Sequence, residues 1–483
     1  MMTHKRVSFI QVYMLIMVSL YFNTDATASP FELYGVGSKA SALGNVGVAS
    51  STDYSAVHYN PAALCIGQSS LGGGITYALK DLKVNLSARP DGYDIPDLGA
   101  ASPAVPSGYQ LRSRTDAEGK VHSFTLFTGS STDLGTDKLR VGFLLSLPVY
   151  HSIDSYPSTF SDERERLFSN QVGFTLLGGR VEHFVAQVAT AYQVFDWLVI
   201  GLGASVMPEA FTHNYIYMND AARQDEVDLN VGLQTSTKWR LNSGLLVTPN
   251  DQFRLGVSFR DEQYMLIRGV NEVQVRGLQG SESYPFEQSL YIITDYSPRQ
   301  LSYGGSWMGQ TSMLTFDLVY SLWSDYLDSH GQKTSFKDTW SPRLGFEQRL
   351  ASGQVIRGGL RWEPTAVPEQ TGRSNFVDND RYVLSIGTGH DIHIQDKILN
   401  LSWHIQYHGL IGRTHQKSLS ESYALCNSDT QSLCDEVSDQ TINPSTRMNF
   451  AEAQGLQTGN PGFPGYSSGG HLLQVGIEIS WNF

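Results

Sequence analysis

From His471 to Asn482 the chain exchanges a polar for an apolar residue at nearly every step. Leu473, Val475, Ile477, Ile479 and Trp481 fall on one face of an extended chain, and Phe483 continues that face. Gln474, Gly476, Glu478, Ser480 and Asn482 fall on the other. A strand sends successive side chains to opposite faces, so this segment has one greasy side and one polar side. Two structures satisfy such a pattern: a sheet resting on a soluble core, or the wall of a barrel standing in lipid.

The same alternation recurs along the chain. Phe253, Leu255, Val257 and Phe259 oppose Arg254, Gly256, Ser258 and Arg260. Leu314, Phe316, Leu318, Tyr320 and Leu322 oppose Met313, Thr315, Asp317, Val319 and Ser321. Leu399, Leu401, Trp403, Ile405 and Tyr407 oppose Asn400, Ser402, His404, Gln406 and His408. Several runs reach the roughly 9–11 residues of a tilted membrane strand, whereas strands of soluble proteins are usually about 5–6 residues long. Between Ser69 and Phe483 the runs number about fourteen. The longer connections, at 88–119, 150–173, 207–228, 268–289 and 412–470, are expected as extracellular loops, and Thr248–Asp251 as a short periplasmic turn.

Hydrophobic content of 41% and 46 glycines fit many strands and turns. Only alternate residues of a membrane strand face lipid, so a barrel has an unremarkable average hydropathy. Past the N-terminus no stretch approaches the roughly 18 consecutive apolar residues of a membrane helix. The net charge of −13, without a clustered basic patch, argues against a nucleic-acid partner. At the N-terminus, Lys5 and Arg6 precede the apolar stretch Val7–Phe22, and Ala26-Thr27-Ala28 supplies a cleavage site. These features define a signal peptide over residues 1–28. In an oxidising compartment Cys426 and Cys434 are placed to close a small loop as a disulfide; Cys65 has no such neighbour.

Residues 29–68 differ from the rest of the chain, being rich in Gly, Ala and Ser without sustained alternation. They end at Tyr59-Asn60-Pro61-Ala62-Ala63-Leu64, where Pro61 suits the first turn of a short helix and Asn60 can cap it. This segment resembles the hatch of the FadL family, outer-membrane channels for long-chain fatty acids and, in the TodX-like branch, aromatic hydrocarbons. The likeness rests on Ala42-Leu43-Gly44-Asn45-Val46-Gly47-Val48-Ala49 followed by the Asn60-Pro61-Ala62 motif. It continues through Pro298-Arg299-Gln300-Leu301, Asp317-Leu318-Val319-Tyr320, Leu322-Trp323-Ser324-Asp325-Tyr326, Trp340-Ser341-Pro342-Arg343-Leu344-Gly345 and Ile356-Arg357-Gly358-Gly359-Leu360. A terminal Phe closing the last strand is similar to the ends of other outer-membrane barrels.

The resemblance implies an all-β, antiparallel transmembrane barrel of about fourteen strands over residues 69–483, plugged from the periplasmic side by residues 29–68. It implies a monomer in the bacterial outer membrane, surrounded by lipid and lipopolysaccharide. Such a protein takes up hydrophobic small molecules passively, without a cofactor, and releases them sideways through a gap opened by a kink in the third strand. Here that strand would be about Lys138–Val149, with Gly142 and Pro148 as kink candidates. Asn60, Pro61 and Ala62 become candidate gating residues.

If the substrate carries a carboxylate, the lumen needs a cation. Arg343 and Arg349 share one strand face, and Arg357 and Arg361 share the next, so all four are expected in the lumen. Arg343, Arg357 and Arg361 are the candidate ligand-binding residues, since a guanidinium grips a carboxylate with two parallel hydrogen bonds. Glu347 lies in phase with Arg343 and Arg349 and offers an internal partner instead. Other motifs carry less. Gly35-Val36-Gly37-Ser38-Lys39-Ala40 lacks the strand–helix setting of a dinucleotide loop. Gly465-Tyr466-Ser467-Ser468-Gly469 lacks the strand–helix elbow of a hydrolase. On a strand His404 and His408 lie about 13 Å apart, too far to share a metal. Competing readings are an aromatic-hydrocarbon channel, an outer-membrane barrel enzyme such as a phospholipase or protease, and an adhesin using the long 412–470 connection.

Overall fold

The alternating runs close into a single cylinder in the computed structural model, which describes residues 31–87, 117–151, 172–174, 177, 184–207, 211–220, 225–277, 286–328, 331–371, 375–394, 397–417 and 465–482. Residues 1–28, expected as a signal peptide, and Cys426 and Cys434, expected as a disulfide, lie outside these residues. The first strands are β1 (Ser70–Leu86), β2 (Ala117–Thr132), β3 (Leu139–His151), β4 (Gly173–Phe174), β5 (Val185–Phe195), β6 (Leu198–Val206) and β7 (Phe211–Asp220). There follow β8 (Asp225–Thr237), β9 (Arg240–Asn250), β10 (Phe253–Arg260), β11 (Gln263–Gly277), β12 (Phe286–Ser297), β13 (Arg299–Met308) and β14 (Ser312–Leu322). The last are β15 (Thr339–Arg349), β16 (Gln354–Glu363), β17 (Phe376–Val377), β18 (Arg381–Ile394), β19 (Lys397–Gln416) and β20 (Gly465–Asn482).

Fourteen of these form a closed antiparallel barrel in the order β1-β2-β3-β5-β6-β9-β10-β13-β14-β15-β16-β18-β19-β20. β1 completes the ring against β20, from Ser70 opposite Asn482 to Leu86 opposite Tyr466. Hydrocarbon offers a backbone no hydrogen-bond partners, so a sheet that crosses it must close and leave no edge. Among the described residues no helix is long and apolar enough to cross a membrane.

The faces fall as the alternation requires. On β20, Ile477 is 52% exposed while its neighbour Glu478 is 6% exposed and points into the lumen. Phe253 and Leu255 on β10, Leu314 and Phe316 on β14, and Leu401 and Trp403 on β19 all lie outward; Ser258, Arg260, Asp317, His404 and His408 are buried. A wall with its greasy side outward is the inverse of a soluble sandwich and suits lipid. Exposed aromatics gather near the two ends of the strands: Phe195, Trp197, Phe253 and Trp307 at one, Trp239, Trp340 and Tyr382 at the other. Such rings favour the two interfaces of a bilayer.

Short turns join β5 to β6, β9 to β10, β13 to β14 and β15 to β16 at the end where β1 begins and β20 ends. The β9–β10 turn falls at Asp251–Gln252, slightly later than the sequence places it. The opposite end carries the long connections. Two of these, expected only as loops, contain strands: the β7–β8 and β11–β12 hairpins join through β8 and β11 into a four-stranded sheet, β12-β11-β8-β7. A pairing between two separate connections leaves no mark on either one read alone.

The N-terminal residues lie inside the cylinder. They form α1 (Phe31–Tyr34), α2 (Gly37–Ala42), α3 (Ala56–Tyr59) and a 3-10 helix over Pro61–Ile66. The wall has glycine where this segment comes closest. A Cβ at Gly359 would collide with the Gly44 backbone nitrogen, and one at Gly244 with the Asn60 side-chain oxygen. We expect Ile477→Arg, which sets a charge on the lipid face midway along β20, to cost the barrel about 2–4 kcal/mol. Reversible denaturant unfolding in lipid vesicles measures that loss.

Candidate functional site

Helices of 4 to 6 residues do not hold themselves together, so the inner segment depends on the wall. Two lumen carboxylates grip its backbone. Asp317 of β14 accepts hydrogen bonds from the Gly47 and Val48 amides at 2.8 and 3.1 Å. Glu478 of β20 accepts from the Tyr54 hydroxyl at 2.6 Å and from the Ser38 amide. Arginines and an amide address the carbonyls: Arg343 donates to Asn45 O at 3.0 Å, Arg361 to Leu33 O at 2.8 Å, and Gln406 to Ser41 O at 2.7 Å. Bonds of this kind to charged groups are the stronger ones.

Asn60 joins both systems. Its Oδ1 accepts from the Ala62 amide at 3.1 Å, capping the helix that Pro61 opens. Its Nδ2 donates to Val48 O at 2.8 Å and to Leu245 O of β9 at 3.1 Å. The expected cap is therefore present, and the same side chain also ties the segment to the barrel. Deeper in, the Val36 amide donates to the Tyr59 hydroxyl at 3.0 Å. Burial pushes that phenol up to about 12, so it is neutral at ordinary pH. Burial, with the nearby Arg260 guanidinium, holds His58 well below the usual imidazole value. A neutral ring can accept from Arg260, whose Nη1 lies 2.7 Å from His58 Nε2.

Above α1, on the side of the long connections, a charged cavity of about 90 Å³ is bordered by Phe31, Arg260, Arg343, Glu363, Asp378 and Arg381. Glu363 sits among three guanidiniums: Arg361 at 3.4 Å, Arg343 at 3.9 Å, and Arg381 in direct contact. Aromatic side chains stand beside it. Trp323 lines the cavity and packs with Tyr296 and Tyr326, and Tyr326 stacks on Phe336 at 4.5 Å.

The three arginines singled out by phase are all buried in the lumen but do not act together. Arg343 borders the cavity. Arg361 lies just behind it, engaged with Leu33 and Glu363. Arg357 lies elsewhere, its Nε 2.7 Å from the Glu347 carboxylate that shares its side of the wall. Arg349, half exposed near the short turns, pairs with Asp391 at 2.8 Å. Arg260, Arg381 and Glu363 were not singled out from the sequence. Their lumen phase was readable, but nothing in the sequence sets the level at which a cavity opens.

Among the described residues β3 is paired over different lengths on its two sides. Its pairing with β5 runs only from Leu139 opposite Tyr192 to Ser146 opposite Val185, whereas its pairing with β2 continues to His151. Beyond Ser146 the β5 side has no ladder among the described residues. Pro148 stands in that stretch, next to a register shift opposite Phe124 and Thr125. The residues that would face Pro148 on the β5 side lie outside the described ones. Gly142 serves differently: a Cβ there would run into Val57 and Leu64 of the inner segment.

His404 and His408 have separate partners, Ser38 Oγ at 3.0 Å and Gln406 at 3.1 Å. No group of metal-binding side chains forms among the described residues. Gly465–Gly469 runs straight into β20, without an elbow. Cys65 is partly exposed, its sulfur 3.7 Å from Lys138 O.

A closed fourteen-stranded barrel with an apolar exterior, a charged lumen and its own N-terminal residues inside has the architecture of a membrane-spanning β-barrel. Residues 177–403 match the family model described as outer membrane protein transport protein (OMPP1/FadL/TodX). The match covers just under half of the chain, and over those residues the chain is similar to that family. No curated protein matches the sequence. Among solved structures the fold is similar to a FadL homologue from Pseudomonas aeruginosa, with a TM-score of 0.57, 14% identity and coverage of 95% of this chain and 98% of that one. It is similar also to the P. putida toluene transporter TodX, at 0.50 and 12%, covering 93% and 99%. A TodX deltaS2S3 mutant described as a monoaromatic hydrocarbon channel gives 0.52 and 12%, covering 94% and 100%.

Asp317→Ala removes the acceptor for two inner amides. Hydrogen exchange at Gly47 and Val48 should accelerate by the equivalent of about 1.5–3 kcal/mol while the barrel keeps its heat-resistant gel migration.

Proposed function

We propose that this chain imports long-chain fatty acids passively across the outer membrane, with residues 29–68 as a hatch and release sideways at β3. One observation carries the choice of substrate: Arg260, Arg343 and Arg381 converge on the cavity beside Phe31. A neutral hydrocarbon has no use for guanidiniums, whereas a carboxylate head matches them and its tail matches the aromatic cluster alongside. Each methylene moved out of water gains about 0.8 kcal/mol, so successive greasy sites ending in the bilayer can drive movement without another energy source. The charged groups of the lumen grip backbone and each other, an arrangement that favours a channel over an enzyme.

The cavity of about 90 Å³ is smaller than the roughly 150 Å³ cavity that admits benzene in an engineered protein. Passage therefore requires the inner segment to shift, and Asn60-Pro61-Ala62, tied to β9 and followed by the 3-10 helix, is the proposed gate. Pro148, which has no backbone N–H and stands beside the register shift between β2 and β3, supports a lateral exit there. A second reading, an aromatic-hydrocarbon channel, draws on the Trp323–Tyr326–Phe336 cluster.

Cells expressing Arg343→Gln/Arg381→Gln should take up oleic acid about tenfold more slowly, the consequence of losing charge-assisted bonds, with toluene uptake nearly unchanged. Equal losses for both compounds would favour the hydrocarbon reading. Asn60→Ala should slow both compounds while leaving the heat-resistant migration intact, and wild-type rates would remove Asn60 from the gate.

A further inference from the structure

Of the three arginines that border the cavity beside Phe31, two have an acid and one has not. Arg381 is in direct contact with Glu363, and Arg343 lies 3.9 Å from the same carboxylate. Glu32, which also lines the cavity, is taken by Arg240 at 2.7 Å and by the Ser297 hydroxyl at 2.8 Å. Arg260 is only 6% exposed, yet among the described residues it forms no ion pair. A guanidinium keeps its charge at any ordinary pH, and a buried charge without a counter-charge is costly.

Both groups that Arg260 does meet are neutral. Its Nη1 donates to His58 Nε2 at 2.7 Å, and its Nη2 donates to the Gln300 side-chain oxygen. An arginine can only donate, so His58 Nε2 accepts, as an uncharged ring does. Gln300 stands opposite Arg260 across β10 and β13. Its amide nitrogen donates in turn to Ser321 Oγ at 3.2 Å, directly across on β14. The His58 ring is held edge-on between Phe31 and Tyr59, with centroids at 5.6 and 5.1 Å. Arg260, His58, Gln300 and Ser321 all line the same cavity. Two neutral acceptors therefore fix the plane of the guanidinium and leave its charge uncompensated.

A fixed fork of N–H donors carrying one positive charge matches one ionised carboxylate. We propose that Arg260 is the residue that distinguishes the ionised head of a long-chain acid from a neutral molecule of the same shape, with His58 and Gln300 as its positioning residues. Arg343 and Arg381 act beside it by neutralising Glu363, whose charge would otherwise repel the ligand. The assignment rests on the fatty-acid reading above. Of the two acceptors, Gln300 belongs to the wall and His58 to the inner segment. The fork is thus held on both sides only while the segment is seated, and a shift of His58 loosens the head-group site as the passage opens.

Equilibrium binding of oleate and of its neutral methyl ester to the purified protein separates the head group from the tail, with each variant checked for heat-resistant gel migration. Arg260→Gln should weaken oleate about tenfold, the consequence of losing bonds to a charged group, and leave the ester unchanged. Arg260→Lys keeps the charge without the fork and should recover part of the oleate affinity; if Arg260→Gln does not fold, the lysine variant supplies the comparison through its smaller, oleate-only loss. His58→Phe keeps a ring between Phe31 and Tyr59 but removes the acceptor. It should weaken oleate about threefold and spare the ester, and His58→Gln, which restores an acceptor, should bring oleate binding back. Wild-type oleate affinity in both Arg260 variants, or equal weakening of acid and ester, overturns the assignment of Arg260 alone. Equal weakening of both ligands by His58→Phe overturns the positioning role. A wild-type protein that binds toluene but neither oleate nor its ester overturns the fatty-acid reading itself.

Discussion

A lipid interior supplies no hydrogen bonds, and that constraint organises this molecule. It forces the backbone ladder to close, as β1 does against β20 over its whole length. Closure then sorts the side chains. Residues in phase with Ile477 meet lipid, and residues in phase with Glu478 are driven into a lumen that is itself shut off from bulk water. A buried carboxylate or guanidinium there needs a partner, because leaving it without one costs far more than a pairing gains. The N-terminal segment is that partner. Its amides meet Asp317 and Glu478, and its carbonyls meet Arg343 and Arg361.

Wall and segment therefore depend on each other. Helices as short as α1, α2 and α3 lack the length to persist in water. The wall gains acceptors and donors for charges that would otherwise be stranded. Close approach is permitted by glycine at Gly359 and Gly244, and Asn60 locks the arrangement by capping its own helix while bonding to β9. Movement of the segment would disturb many contacts at once, which makes it a suitable two-position element.

The barrel was legible in the sequence because its governing pattern is local. The faces of β10, β14, β19 and β20 follow from residues two apart, as does the lumen position of Arg343, Arg357 and Arg361. Glu347 was visible as an in-phase acid, and it is Arg357 that it engages. What the sequence withheld is long-range. The sheet built from β8 and β11 joins connections that show no mutual pattern, and Arg260 and Arg381 become cavity residues only once the height of α1 in the lumen is fixed. Pro148 lies in β3 beside a register shift against β2, and the residues that would face it on the β5 side lie outside the described ones. Gly142, the other kink candidate, stands where a Cβ would run into Val57 and Leu64.

The strength of the seat does not follow from counting its bonds. Charged contacts hold the segment near Asp317, Glu478 and Glu363, through Gly47, Val48, Ser38 and Leu33. Close by, Asn242 and Ser258 are buried with polar atoms that have no partners among the described residues. Burying such groups opposes seating by an amount comparable to what one good hydrogen bond contributes, about 1–3 kcal/mol for each orphaned group. The two effects act on one rigid piece of chain and have opposite sign.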